Sequence, residues 1–299
     1  MKKALLYGAL ASCFFSFTFV LNRSMSLSGG YWMWSACLRF IFMLPLLALP
    51  VLKSGKMGAT LRAIRQSPGP WLLWSTAGFG VAFWALTMAS QYETSWFISA
   101  AWQVTIVAGV LLTPLLGQRL PVKNLLMSGV ILAGVFILQF SVLNGRAGQF
   151  SLAALGLILV AAFAYPLGNR KMMAVCPPGL STVQRVFGMA LCSMPFWLVF
   201  SGFALFKKGL PAGGQVLQAF LVALFSGVVA TTLLFKATEM VKQNPKQLAV
   251  VEATQAGEVI FTLLGGVLLL GDAPPSPVGF VGMGVIVLGM VASSLLSAH

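Results

Sequence analysis

The sequence predicts an all-α, polytopic membrane protein with ten transmembrane helices, arranged as two inverted five-helix repeats. Hydrophobic residues make up 59% of the chain and charged residues 8%, which is too little charged surface for a water-soluble fold of 299 residues. Apolar stretches of about 20 residues recur along the whole length, without the two-residue alternation of barrel strands. Short motifs that recur in both halves predict the repeat.

The repeated motifs lie at matching places in the two halves. Asn22-Arg23 ends the first apolar segment, and Asn169-Arg170 ends the sixth. Each motif is followed by an arginine inside the next segment, Arg39 in the first half and Arg185 in the second. An internally duplicated, apolar chain of this kind is typical of a secondary transporter.

Each repeat contains five predicted helices. The first repeat covers residues 1–145, and the second covers residues 146–299. Because five is an odd number, the second repeat enters the membrane from the opposite side, which makes the duplication an inverted repeat. The predicted helices are 4–22, 31–52, 70–90, 94–116, 122–143, 150–169, 180–204, 214–235, 247–270 and 277–297.

Basic residues predict the orientation and account for the net charge of +14. With both termini in the cytoplasm, thirteen Lys and Arg residues flank the inner side and four flank the outer side. They lie at segment ends and in short loops rather than along one helix face, so we expect no nucleic-acid partner. The apolar run continues past Cys13 to Leu21, which predicts an uncleaved first helix rather than a signal peptide.

The sequence offers few groups for catalysis or metal binding. Its single histidine is His299, so we expect neither histidine-based acid–base chemistry nor a zinc–histidine site. The four cysteines lack metal-ligand spacing, and the chain has neither a phosphate loop nor a nucleotide fingerprint. We therefore expect no enzyme activity, no catalytic residue, no cofactor and no metal.

Two glutamates lie inside the ninth apolar segment. A charged side chain near the bilayer centre costs about 2.5–3.5 kcal/mol, so such residues face protein or water. Glu252, Gln255 and Glu258 are spaced three apart and form one polar ridge on an apolar helix. This ridge can bind a proton or a cationic substrate, or it can form a buried Glu–Arg pair that orients helices. Glu93 and Asp272 lie at helix ends, where we expect both to reach the outer interface.

Arg39 and Arg185 are the natural partners of these glutamates, and each lies about one third of the way into its predicted helix. They can pair with a glutamate, bind an anionic group of a substrate, or anchor the repeat fold. Other polar and aromatic side chains within the segments are candidates to line a cavity. They are Asn22, Trp34, Trp84, Trp102, Gln103, Tyr165 and Asn169.

Tryptophans and glycines at other positions have simpler expected roles. Trp32, Trp71 and Trp96 lie at helix ends, where tryptophan marks the membrane–water interface. Helices five and ten contain two glycines each, which allow close helix packing. They can pack against each other or against a second copy of the chain, so a homodimer is left open. These glycines are Gly129, Gly134, Gly284 and Gly289.

The motifs resemble those of the drug/metabolite transporter superfamily, in which each half is an EamA-like repeat. The matching elements are Leu38-Arg39-Phe40, Leu44-Pro45 and the acidic turn Gly271-Asp272. In the first half, Gly117-Gln118 stands in place of the acidic turn.

Three longer stretches resemble the bacterial branch called the multidrug-resistance efflux transporter family. They are 19–25, 164–170 and 251–258. The resemblance implies ten helices, a central cavity lined by both repeats, and a location in the bacterial cytoplasmic (inner) membrane. It also implies export driven by the proton gradient.

These observations predict a secondary-active exporter of a small organic solute, a drug or a metabolite, that works by proton antiport with alternating access. Its expected partners are the lipid bilayer, a small-molecule substrate and the proton. One alternative is an uncoupled facilitative permease for an amino acid or a nucleobase-like metabolite. The other is a non-transporting membrane scaffold or accessory subunit.

Overall fold

The computed structural model describes residues 1–116, 122–143, 147–241 and 243–296, and in these ranges the chain is helical without a β-strand. Eight described helices are long and apolar enough to cross a membrane. Two shorter apolar helices, Ser95–Leu111 and Ser128–Val142, account for the remaining predicted segments. The all-α polytopic fold class is therefore confirmed, whereas the placement of both termini in the cytoplasm stays a prediction.

Five long helices form the first half, and a short helix links the second to the third. The fourth long helix ends earlier than predicted, at Leu111, and Pro114 lies in a following 3₁₀ turn, Thr113–Leu116. Proline has no amide hydrogen to continue the α-helical ladder, which accounts for the early end. The helices are α1 (Lys2–Leu27), α2 (Trp32–Lys53), the linking α3 (Met57–Gln66), α4 (Pro68–Ala89), α5 (Ser95–Leu111) and α6 (Val122–Val142).

The second half repeats the five long helices. Ser181 caps the second of them in a capping box, because its hydroxyl accepts the Gln184 amide and Gln184 Oε1 accepts the Ser181 amide. The helices are α7 (Ala147–Val175), α8 (Thr182–Lys208), α9 (Gly213–Glu239), α10 (Pro245–Ala253 and Gly257–Leu270, joined by a 3₁₀ turn, Thr254–Ala256) and α11 (Pro277–Leu296).

Irregular turns recur in matching helices of the two halves. A π-helical turn interrupts α4 at Thr76–Val81 and α9 at Val222–Ala230. The α-helical pattern of α5 breaks at Gln103, and that of α10 breaks at Thr254–Ala256. Such interruptions are frequent at functional sites because they free main-chain groups and redirect side chains.

The two halves exchange their first helices. The first helix, α1, packs against α9 and α10 of the second half, whereas α7 packs against α4 and α5 of the first half. The helix pairs α2–α8 and α6–α11 also join the two halves. This pattern of partners is the one that a two-fold relation between the halves produces. The division at 145/146 itself stays a prediction, because residues 144–146 lie outside the described residues.

At the crossing of α6 and α11, single side chains show the two-fold relation between the halves. A Cβ atom on Gly134 would lie 2.7 Å from Cγ1 of Ile286, and one on Gly289 would lie 2.8 Å from Cγ1 of Ile131. Each glycine therefore gives room to an isoleucine of the other helix. By contrast, Gly129 and Gly284 have no heavy atom of the described residues within 4 Å of such a Cβ.

The interfacial role predicted for three tryptophans is wrong. Trp71 is fully buried, and its ring lies against Gly188 of α8. Trp32 and Trp96 are also buried, and Trp96 Nε1 donates a hydrogen bond to the main-chain oxygen of Ala273 at 3.0 Å. Tryptophan at a helix end can equally well fill a gap between helices, and here the neighbouring small residue or loop carbonyl decides the outcome.

Candidate functional site

A cavity of about 500 Å³ lies between helices of both halves. We call it the glutamate lobe, because Glu252, Gln255 and Glu258 all line it. The polar ridge predicted on the ninth segment thus faces a cavity. The other polar lining residues are Thr18, Arg39, Gln103, Thr105, Tyr165, Arg170, Ser226, Ser293 and Ser294.

A second cavity of about 350 Å³ adjoins the first. We call it the arginine lobe, because Arg39, Arg170 and Arg185 line it. Several residues border both lobes and form the wall that they share. These residues are Phe15, Arg39, Phe83, Tyr165, Pro166, Arg170 and Ser226.

The two glutamates differ in exposure. Glu258 is 9% exposed and lies in the first turn after the break in α10, while Glu252, one and a half turns earlier, is exposed. Between them, Gln255 Nε2 donates to the main-chain oxygen of Gly8 at 3.4 Å. The glutamate lobe therefore reaches the protein surface at Glu252 and ends in the interior near Glu258.

Arg39 is buried in neutral surroundings. Its guanidinium donates to Oγ1 of Thr18 at 3.1 Å and to Oγ of Ser226 at 3.4 Å, and the Thr18 hydroxyl donates to Ser226 Oγ at 2.6 Å. The guanidinium carbon lies 4.3 Å from the centroid of the Phe83 ring, at cation–π distance. Arg39 Nε has no hydrogen-bond partner among the described residues.

The predicted pairing of Arg39 and Arg185 with the glutamates is not formed in this structure. Among the described residues, no carboxylate lies within 4.0 Å of either guanidinium group. Arg185 also lies less deep than predicted, in the first turn of α8, and it is half-buried. The helix starts at Thr182, where the Ser181 cap fixes its first turn, so Arg185 enters the arginine lobe from the helix end.

Arg170 is a lining residue that the sequence analysis missed, because the motif placed it in a loop. Helix α7 instead continues to Val175, which keeps Arg170 on the same helix as Tyr165. Its guanidinium donates to the main-chain oxygen of Gly109 and to Oγ1 of Thr113, the latter at 3.5 Å. Gly109 is the feature of the sequence that could have indicated this contact, because a glycine in the facing helix leaves room for the long side chain of Arg170.

Four of the seven cavity candidates line a lobe. Trp102 and Gln103 line the glutamate lobe, Asn169 lines the arginine lobe, and Tyr165 lines both. The Tyr165 ring lies edge-on to Phe83 and to Trp102, with centroids 5.9 Å and 5.6 Å away. Tyr165 also lies within electrostatic range of Arg39, Glu258 and Arg185. The tyrosine therefore stands where the two lobes and their charges meet.

The other three candidates, Asn22, Trp34 and Trp84, lie outside both lobes. Trp34 Nε1 donates to the main-chain oxygen of Gly209 at 2.9 Å, which directs the indole to the end of α8. Trp84 packs against the Trp32 ring at 5.8 Å between centroids. Both tryptophans therefore hold helices together rather than border a cavity.

Asp272 lies at the opposite end of α10 from Glu252, about 20 Å beyond Glu258 along the helix. It is 7% exposed, which corrects the expectation that it reaches the outer interface. Its carboxylate accepts hydrogen bonds from Ser95 N at 3.1 Å and Ser95 Oγ at 2.9 Å. It also pairs with Arg23, with Oδ1 3.5 Å from Nε.

Two further interactions lie near the ion pair between Arg23 and Asp272. Arg23 Nη1 donates to the main-chain oxygen of Ser90 at 3.3 Å, which ties α1 to the end of α4. Glu93 is half-buried and accepts from the Thr94 amide at 3.2 Å, and burial raises the pKa of its carboxyl group. The matching turn of the first half, Gly117-Gln118, lies outside the described residues.

Comparisons with known proteins agree with this architecture. The family described as "EmrE: Putative multidrug resistance efflux transporter" matches residues 2–299. "Uncharacterized protein YjlA" of Bacillus subtilis (strain 168) is 44% identical over 308 residues, 99% of this chain and 95% of that protein. A Shouchella clausii protein, "Uncharacterized 42.1 kDa protein in intracellular alkaline protease 3'region", is 41% identical over 270 residues, 86% of this chain and 70% of that protein.

One solved structure, titled "Crystal structure of protein", is similar in fold. The TM-score is 0.64 at 17% identity, and the match covers 99% of this chain and 98% of that one. At this identity the likeness extends to the fold alone.

Proposed function

This chain belongs to the family described as "EmrE: Putative multidrug resistance efflux transporter", and on that premise we propose that it exports a small organic solute by proton antiport. One observation carries the proposal. Glu258 is buried at the inner end of a cavity that reaches the surface, and no basic side chain of the described residues lies within 4.0 Å of its carboxyl group. A carboxyl group so placed is free to bind a proton or a cationic group of a solute.

Competition for Glu258 would couple the two fluxes. When Glu258 holds a proton, it offers no charge to a cationic group, and when it binds such a group, the proton has left. Glu252, at the exposed end of the same lobe, would exchange protons with water and pass them towards Glu258. Gln255 and Gln103 line the path between the helices and offer hydrogen bonds to a solute.

Alternating access is supported by the difference between the two ends of the cavity. The glutamate lobe opens at Glu252, whereas the far end is closed by buried side chains and by the ion pair between Arg23 and Asp272.

A volume of about 500 Å³ suits a small organic solute. Matching interruptions in α4, α9, α5 and α10 supply positions at which the two halves can bend. With the predicted orientation, the open end faces the cytoplasm of a bacterium.

The test is proton movement across a proteoliposome membrane, read with a trapped pH-sensitive dye, as lipophilic cations and amino acids are added. We expect substrate-dependent proton flux in the wild type, and we expect Glu258→Gln to reduce it to background. Glu239→Gln is the matched control, because Glu239 is exposed at the end of α9 and outside both lobes.

Other outcomes choose between mechanisms. Solute flux without proton movement would favour the uncoupled facilitative permease. Unchanged coupling in a Glu252→Gln/Glu258→Gln double variant would show that neither glutamate carries the proton. Absence of any flux from the folded protein would favour the non-transporting scaffold.

A further inference from the structure

The arginine lobe collects positive charge without a matching carboxylate. Arg39, Arg170 and Arg185 line it. All five acidic residues of the chain are among the described residues, and none has its carboxylate within 4.0 Å of these three guanidinium groups. Buried charge is costly unless it is paired and hydrogen-bonded, so a lobe with this lining favours an anion.

Arg39 shows what its protein neighbours leave unsatisfied. The neighbours are two hydroxyl groups, of Thr18 and Ser226, and the face of the Phe83 ring. None of these carries a negative charge, and Arg39 Nε has no partner among the described residues. The hydroxyl groups hold the guanidinium in one orientation at the border of both lobes, so its positive charge is held in place for an anion.

The rest of the lobe is mainly aromatic. Phe15, Phe40, Phe79, Phe83 and Phe235 line it together with Tyr165. Aromatic walls favour an apolar body, and few polar groups within such walls fix its orientation. The lobe thus combines three cationic side chains with an apolar surface.

We propose that the arginine lobe binds an anionic group, such as a carboxylate, of the exported solute, whose apolar body lies against the phenylalanine side chains. This inference rests on the proposed transport function and names the substrate class. It also places the charges of a solute: an anionic group meets Arg39 and Arg185, whereas an amine on the same solute faces Glu258. Tyr165 and Arg39 border both lobes, so one solute can extend from one lobe into the other.

Direct binding tests the proposal without a proton gradient. We would titrate the protein in a neutral detergent with three probes that share a phenylpropyl body: 3-phenylpropanoate, 3-phenylpropanol and 3-phenylpropylamine. We expect the carboxylate to bind more tightly than the alcohol by roughly tenfold or more, as the gain of a charge-assisted hydrogen bond implies.

Substitutions of the arginines show which side chains cause the preference for the carboxylate. Arg39→Gln should abolish it, Arg185→Gln should weaken it, and Arg39→Lys should keep part of it, because a lysine retains the charge but loses the fork. Arg65→Gln is the control, since Arg65 is exposed on α3 and lines neither lobe. Arg185 is half-buried at a helix end, so its variant tests the proposal even if Arg39→Gln fails to fold.

Three results would overturn the proposal. They are no detectable binding of the carboxylate, equal binding of the three probes, or a carboxylate preference that survives in Arg39→Gln and Arg185→Gln. A lipid is an alternative source of the anion. If phosphatidylglycerol occupies the site and the carboxylate cannot displace it, the lobe binds a lipid headgroup and the proposal for the solute is wrong. If the carboxylate probe does not bind but transport remains coupled to protons, the proposed function stands and only the anion site is wrong. If the probe binds through the arginines but no proton moves, the anion site stands and only proton antiport is wrong.

Discussion

Arg23 and Arg170 occupy matching positions near the ends of α1 and α7, yet they lie in different surroundings. Arg23 pairs with Asp272 at 3.5 Å and lines neither lobe. Arg170 has only a main-chain oxygen and a hydroxyl as described partners, and it borders both lobes. The second half contains an acid, Asp272, where the first half has Gln118. The comparison teaches that two arginines at matching positions of a repeat take different partners, an ion pair for Arg23 and neutral acceptors for Arg170.

The largest effect is expected where the ion pair is removed. Asp272→Asn leaves the Arg23 charge partly buried without its counter-ion, so we expect a loss of about 3 kcal/mol in the free energy of unfolding. Thermal unfolding in detergent measures the loss. Glu239→Gln makes the same change of charge at an exposed site and should lose far less stability, because exposed charge interactions contribute little.

If Asp272→Asn unfolds at the wild-type temperature, the stability of the protein does not depend on this ion pair. If the variant is destabilised, a double-mutant cycle with Arg23→Gln tests whether the loss comes from the pair. The two single variants should share most of their loss, because each removes the same interaction.

A smaller effect is expected where the two halves are alike. Gly134→Ala and Gly289→Ala each place a methyl group within 2.8 Å of an isoleucine side-chain carbon of the facing helix, so each should cost about 1–2 kcal/mol. The methyl group on residue 134 would also meet main-chain atoms of α11 at 2.8 and 2.9 Å, whereas the nearest main-chain atom to the one on residue 289 lies at 3.1 Å, so Gly134→Ala should lose more. Unfolding of the purified protein compares them.

Gly129→Ala and Gly284→Ala are the controls for this pair. No described atom lies within 4 Å of the added methyl group, so neither substitution should destabilise the protein. A larger loss for Gly289→Ala than for Gly134→Ala, or a loss for the controls, would contradict the packing described at this crossing.

The smallest effect on stability is expected at Arg170. Arg170→Gln removes hydrogen bonds to Gly109 and Thr113 but breaks no ion pair of the described residues, so the loss should be about 1 kcal/mol or less. Arg23→Gln is the matched comparison in the other half. An Arg170 variant that loses as much stability as the Arg23 variant would remove the distinction between the two ends.

Features of the fold that depend on local composition are predictable from the sequence. Ten apolar segments and the cavity-facing ridge from Glu252 to Glu258 follow from hydrophobicity and from spacing along one helix. The burial of Asp272 does not, because its partner Ser95 is 177 residues away along the chain. The π-helical turns and the fit of Trp71 against Gly188 likewise depend on neighbouring helices. Such contacts leave no signal within a single segment.

The exchange of α1 and α7 has a consequence for the order of synthesis. The first helix leaves the ribosome before all others, yet Thr18 bonds to Ser226, which is made 208 residues later. Until α9 and α10 are inserted, the polar face of α1 around Thr18 and Arg23 lacks its final neighbours. The contacts that fix α1 in the bundle can therefore form only after the second half has been made.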